Sequence, residues 1–197
     1  DIVTVIFIGR HCSRMAQRKE HGMGRNAKDS LCYRHSDSGC RSFHKCNTLA
    51  SCAGRCFVDD EVASARLTLP IGQQHLFTQY IKSVACAAAR GDLDVGEDRI
   101  VPSATQPDIW ELRLPFQMKD KKQQYRMYYA EDEGSNPPMV AILFHLKETE
   151  ELTVEEQDKR QNKRMHEAQE RWKLYRDIQW GHSEQNCINC FKERKMR

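Results

Sequence analysis

Residues 139–147 read Met-Val-Ala-Ile-Leu-Phe-His-Leu-Lys, an apolar run with the look of a strand buried along most of its length. Successive side chains of a strand point to opposite faces. Strict alternation therefore puts Val140, Ile142, Phe144 and Leu146 on one side and Ala141, Leu143, His145 and Lys147 on the other. Two similar segments precede it, at 109–115 and 125–130. In the first, Glu111 and Arg113 share a face opposite Trp110, Leu112 and Leu114. In the second, Arg126 and Tyr128 oppose Tyr125, Met127 and Tyr129. Residues 131–138, Glu-Asp-Glu-Gly-Ser-Asn-Pro-Pro, are dense in turn formers and join the last two strands as an antiparallel hairpin. The expected sheet has one apolar side for helices and one side carrying Arg113, Arg126, His145, Lys147, Tyr128 and Glu111.

The helices have their own signals. After Pro70, residues Phe77, Tyr80, Ile81, Val84 and Ala88 recur at helical spacing, and Gly91 stops the helix. A short helix at about 60–67 precedes it, which predicts a helical hairpin. Thr153-Val-Glu-Glu156 fits a capping box, and Met165, Ala168, Trp172 and Tyr175 form a narrow apolar stripe on a long charged helix. The expected fold class is α+β: an N-terminal helical hairpin on a small twisted antiparallel sheet, closed by a C-terminal helix.

Composition divides the chain. Residues 1–60 hold ten Lys/Arg against six Asp/Glu and six of the nine cysteines, whereas the remainder balances 21 basic against 22 acidic residues. Residues 10–57 show neither a helical nor a strand period. Residues 1–58 are therefore expected to be a Cys/His-rich extension, disordered or atypical, 59–176 the folded domain, and 177–197 a flexible basic tail. No apolar run approaches the roughly 18 to 20 residues that span a bilayer, and residues 2–8 lack the flanks of a signal peptide. The chain begins with Asp, which suggests a fragment or trimmed sequence. These features suggest a soluble, cytoplasmic protein with no membrane partner.

Any one residue of the polar face fits the solvated side that antiparallel sheets usually keep. Together they point further. Paired arginines hold phosphate oxygens, and a neighbouring histidine titrates near neutrality. Such a face can bind an RNA backbone and move the proton of a 2′-hydroxyl. Poor in carboxylates and metal ligands, it suits metal-free strand cleavage, with no cofactor, better than a two-metal nuclease.

The segments 108–113 (Asp-Ile-Trp-Glu-Leu-Arg), 125–129 (Tyr-Arg-Met-Tyr-Tyr) and 142–147 (Ile-Leu-Phe-His-Leu-Lys), followed by a charged helix with Ala168 and Arg171, resemble the HigB-type branch of the RelE/ParE toxin superfamily. Residues 89–93, Ala-Arg-Gly-Asp-Leu, resemble the segment before that family's first core strand. The resemblance covers about residues 60–176. It implies the toxin of a type II toxin–antitoxin system, an endoribonuclease (mRNA interferase) acting on messenger RNA during translation, on the ribosome. It further implies growth inhibition and restraint by a cognate antitoxin, commonly a helix-turn-helix protein. By position, the family's phosphate-stabilising basic residues fall on Arg113 and Arg126, and its strand-end catalytic region on His145 and Lys147. Glu111 or Tyr128 is the candidate second proton-transfer group. Where the family carries a basic run after the last strand, this chain has Glu-Thr-Glu-Glu-Leu-Thr-Val at 148–154, so RNA-binding charge is expected from Lys119, Lys121 and Lys122. A short run of charges is also what a solvated loop carries.

Two other readings stand beside this one. The first is a non-catalytic, ParE-like toxin or antitoxin-binding protein that poisons another target. The second is an N-terminal zinc module for nucleic acid built from Cys40, His44, Cys46, Cys52 and Cys56, with Cys187, Cys190 and His182 as a separate tail cluster. The irregular spacing matches no standard finger, so no metal site is expected.

Overall fold

Strand alternation over 109–147 and helical spacing on either side of it sort the chain into a central sheet flanked by helices. In a computed structural model the described residues are 25–34, 43–45, 57–93, 99–119, 121–132, 139–147 and 152–176, with backbone alone at 43–45, 175 and 176. The strands are β1 (Phe43–Lys45), β2 (Ile100–Pro102), β3 (Ile109–Gln117), β4 (Lys122–Glu131) and β5 (Met139–Leu146), in the order β1-β5-β4-β3-β2. Strands β2 to β5 are antiparallel, and β1 joins β5 in parallel. At three residues each, β1 and β2 are too short for a period-2 pattern to register in sequence. Residues 2–8 lie outside the described residues.

Three helices complete the fold: α1 (Phe57–Leu67), α2 (Ile71–Arg90) and α3 (Val154–Arg176). Gly91 caps α2 at φ 77°, a left-handed conformation that costs a residue with a Cβ more than glycine. At the start of α3 the expected capping box forms. The Thr153 N–H donates to Glu156 Oε2 at 2.8 Å, and the Glu156 N–H donates to Thr153 Oγ1 at 3.3 Å.

The α1–α2 hairpin covers one face of the sheet, where Phe77, Ile81, Val84 and Ala88 bury Leu112, Leu114, Tyr125, Met127, Tyr129 and Phe144. The other face is not left to water, contrary to the expectation from alternation. Met165, Ala168 and Trp172 of α3 pack there against Ile109, Ala130, Val140, Ile142 and Leu143. A β-bulge is the reason. Tyr128 faces Leu143 but Tyr129 faces Ala141, so Ile142 is an extra residue in β5. Val140 and Ile142 therefore lie with Leu143 on the α3 side, while Phe144 lies on the hairpin side. Apolar groups dominate half of the supposed polar face, and the stripe of α3 is spent covering them.

Beyond its three-residue pairing with β1, the outer edge of β5 is closed by side chains. Glu61 of α1 accepts the Phe144 N–H at 2.6 Å, and Arg171 of α3 donates to the Ile142 carbonyl at 3.0 Å. The two pair with each other at 2.8 Å. Occupying these two backbone groups blunts the edge as a template for another chain.

Residues 25–34, which show no period, form two 3-10 turns, Ala27–Asp29 and Leu31–Tyr33, against the sheet. Leu31 and Cys32 join the hairpin-side core. Ser30 Oγ donates to Glu131 Oε1 at 2.6 Å and shares a 2.9 Å hydrogen bond with the Tyr129 hydroxyl. The Arg25 guanidinium lies 4.5 Å from the Trp110 ring centroid and donates to the Ile109 carbonyl at 2.9 Å. Of the expected extension, β1 and the first two residues of α1 are also described; its remaining residues, and the tail over 177–197, lie outside the described residues. No helix among the described residues is long and apolar enough to cross a membrane.

Leu31→Ala is expected to lower unfolding free energy by about 2–5 kcal/mol, the usual cost of emptying a buried leucine site. Urea denaturation measures it. A change within about 0.5 kcal/mol, typical of surface substitutions, would show that 25–34 contributes nothing to the core.

Candidate functional site

Three basic side chains form a row across the sheet: Arg113 on β3 is directly opposite Arg126 on β4, which is directly opposite His145 on β5. Like charges facing one another across strands destabilise a sheet. Glu111, two residues back on the same face of β3, offsets this. Its Oε1 lies 2.9 Å from Arg126 Nε and 3.1 Å from Arg113 Nε, and its Oε2 accepts from Gln161 Nε2 of α3 at 2.8 Å. The Glu111 and Arg126 side chains are 4% and 7% exposed, whereas Arg113 is 43% exposed. Arg126 also donates to the Tyr125 carbonyl at 3.0 Å. The two arginines, equivalent in the sequence, thus differ: Arg126 is a buried, neutralised strut and Arg113 reaches solvent. Burial pulls the Arg126 pKa down, and Glu111 opposes that pull.

His145 has a defined tautomer. Its Nδ1 lies 2.9 Å from the Leu146 carbonyl, and because a carbonyl only accepts, Nδ1 carries the proton and Nε2 the lone pair. Nε2 is buried without a hydrogen-bond partner. Burial is the largest cause lowering the His145 pKa; the bond to Leu146 opposes it, Arg164 and Arg126 add to it, and Glu111 opposes it. The ring is therefore neutral near pH 7, a base with a free lone pair. Tyr128 lies beside it, ring centroids 5.4 Å apart. Burial first and Glu111 second push the Tyr128 phenol well above its ordinary value, so it remains a proton donor.

Between the end of β5 and the first half of α3 lies a pocket of about 270 Å³, lined by His145, Leu146 and Lys147 and by Gln157, Arg160, Gln161, Lys163 and Arg164. Among the described residues its lining carries four basic side chains, Lys147, Arg160, Lys163 and Arg164, and no carboxylate. Arg164 also pairs with Glu167 at 3.0 Å on the exposed side of the helix. The α3 residues were overlooked in sequence because the helix was read only for its apolar stripe. A second periodicity was present: Gln157, Arg160, Gln161 and Arg164 recur at steps of three and four, one face of a helix.

Of the expected site residues, Glu111, Arg113, Arg126, Tyr128 and His145 converge, and Lys147 lines the pocket beside them. Lys119, Lys121 and Lys122 do not line it. They are exposed at the β3–β4 turn, where Lys122 begins β4 four residues before Arg126, roughly 13 Å along a strand. Among the described residues, no group of three or more His, Cys, Asp or Glu could hold a metal. The side chains considered as zinc ligands lie outside the described residues.

The chain was compared with protein-family models, with curated proteins and with solved structures, and none matches.

Glu111→Gln is expected to cost about 3–5 kcal/mol, because it leaves Arg126 buried without its counter-charge. Glu111→Leu combined with Arg126→Met removes both charges and should recover most of that loss. A double-variant cycle by urea denaturation reads the coupling, and additive effects would show that the pair is not coupled.

The lowered His145 pKa carries a sign as well. The fold favours the neutral ring, so its contribution is full above the unfolded value of about 6.5 and is lost as pH falls through the lower folded value. Wild-type protein should lose more stability than His145→Gln between about pH 7 and pH 5, as thermal melts would show. Parallel losses would place the proton uptake elsewhere.

Proposed function

We propose that the protein is a metal-independent endoribonuclease, the RelE-like toxin of a type II toxin–antitoxin pair, cleaving messenger RNA during translation and restrained by a cognate antitoxin. One observation carries this reading. His145 is a neutral imidazole with Nδ1–H held by a backbone carbonyl and a buried, unpartnered Nε2, and the residue lines a cation-rimmed pocket. That is what removal of a 2′-hydroxyl proton beside a phosphodiester requires.

In the reaction, Nε2 of His145 takes the 2′-hydroxyl proton as the 2′-oxygen forms its bond to phosphorus. The bond from phosphorus to the 5′-oxygen breaks, leaving a 2′,3′-cyclic phosphate and a 5′-hydroxyl. The leaving oxygen takes a proton from Lys147 or Tyr128. Solvent-accessible Arg113 balances charge on the phosphorane. Glu111, committed to two arginines and Gln161, holds the site together and is not the second proton-transfer group.

The closure of Glu111 on Arg126 favours a second reading, a ParE-like toxin that binds its target without cutting RNA. Incubating purified protein with single-stranded RNA separates the two. Cleavage is expected in EDTA, with a rate that rises with pH through an apparent value below about 6.5 and falls by about 10²–10⁴ in His145→Ala. A strict Mg²⁺ requirement or an undiminished His145→Ala rate would overturn the mechanism. RNA left intact while expression still arrests growth would establish the second reading.

A further inference from the structure

Of the two sheet arginines, Arg126 is buried and neutralised, and Arg113, which reaches solvent, shares the carboxylate of Glu111. We propose that the first half of α3 supplies phosphate-binding charge, with Arg160, Lys163 and Arg164, together with Lys147 just after β5, holding the backbone of single-stranded RNA in front of His145. The inference rests on the ribonuclease reading for the identity of the strand, but the anion site itself stands on the geometry of the pocket.

Three observations converge on it. Lys147, just after β5, and Arg160, Lys163 and Arg164 of α3 line one pocket, and among the described residues its lining has no carboxylate. Two neutral amides, Gln157 and Gln161, complete the α3 wall, so its helical face combines cations with hydrogen-bonding groups that read no charge. Arg164 lines the same pocket as His145, the group assigned proton transfer, so the basic wall of α3 and the imidazole share one opening.

Size restricts the ligand. About 270 Å³ admits a phosphate with part of one nucleoside but not a duplex, whose backbones would have to pass between β5 and α3. A single strand threads such a groove, its successive phosphates meeting the cations in turn.

Fluorescence anisotropy with a labelled 12-nucleotide single-stranded RNA, titrated across salt concentrations, tests this on the full chain. The variants are Arg160→Gln, Lys163→Gln and Arg164→Gln, singly and together. All three side chains are on exposed residues, so melts should match wild type. Each substitution should lower the slope of log affinity against log salt by about 0.7, and the triple variant by about 2. Arg126→Gln, provided it folds, should leave that slope unchanged. Unaltered affinity and slope in the triple variant would overturn the α3 site even if cleavage by wild type is confirmed. Binding that depends on α3 in a protein that never cleaves RNA would support the site and sink the ribonuclease reading. Equally tight, α3-dependent capture of polyglutamate would overturn the assignment to phosphate.

Discussion

The buried carboxylate of Glu111 is the constraint around which the open end of the sheet is organised. Strands β3 and β4 place two arginines opposite each other, a pairing that repels unless an anion stands between them. Glu111 does so from the same face and takes a hydrogen bond from Gln161 as well. One carboxylate thus links two strands and a helix 50 residues away in sequence. The same contact ties the first half of α3 to the sheet beside the pocket that His145 lines.

At the other end of α3 the contact is apolar. The bulge at Ile142 turns both Ile142 and Leu143 towards the helix, which seats Met165, Ala168 and Trp172. The helix is pinned by packing along its second half and by Gln161 along its first, while Arg171 ties it to Glu61 at the strand edge. A wedge-shaped opening remains over the end of β5. There His145, Lys147 and the basic side chains of α3 line one opening.

Much of the fold was legible beforehand. The long strands, the hairpin of helices, the glycine stop at Gly91 and the Thr153 cap all rest on local periodicity or on residues within one turn of each other. The segment 25–34 was not legible, because its contacts are with Tyr129, Glu131 and Trp110, about a hundred residues away or nearly so, and no local pattern announces them. The five sheet residues of the site were found because alternation places them on one face. Their different roles were not, since Arg113 and Arg126 carry identical chemistry until burial distinguishes them.

By itself, the sequence determined where the three long strands and the three helices lie and which polar side chains of those strands share a face, because those are consequences of the 2.0 and 3.6 residue periods of a single chain. Tertiary structure alone decided three things. A bulge broke the alternation in β5, α3 closed on the face that alternation had left to solvent, and one of two equivalent arginines became a buried strut. Each depends on which groups from distant elements meet, and so on desolvation and pairing that no local pattern encodes. The cationic wall of the pocket belongs to both: its spacing was written into α3, but its position opposite His145 came only from packing.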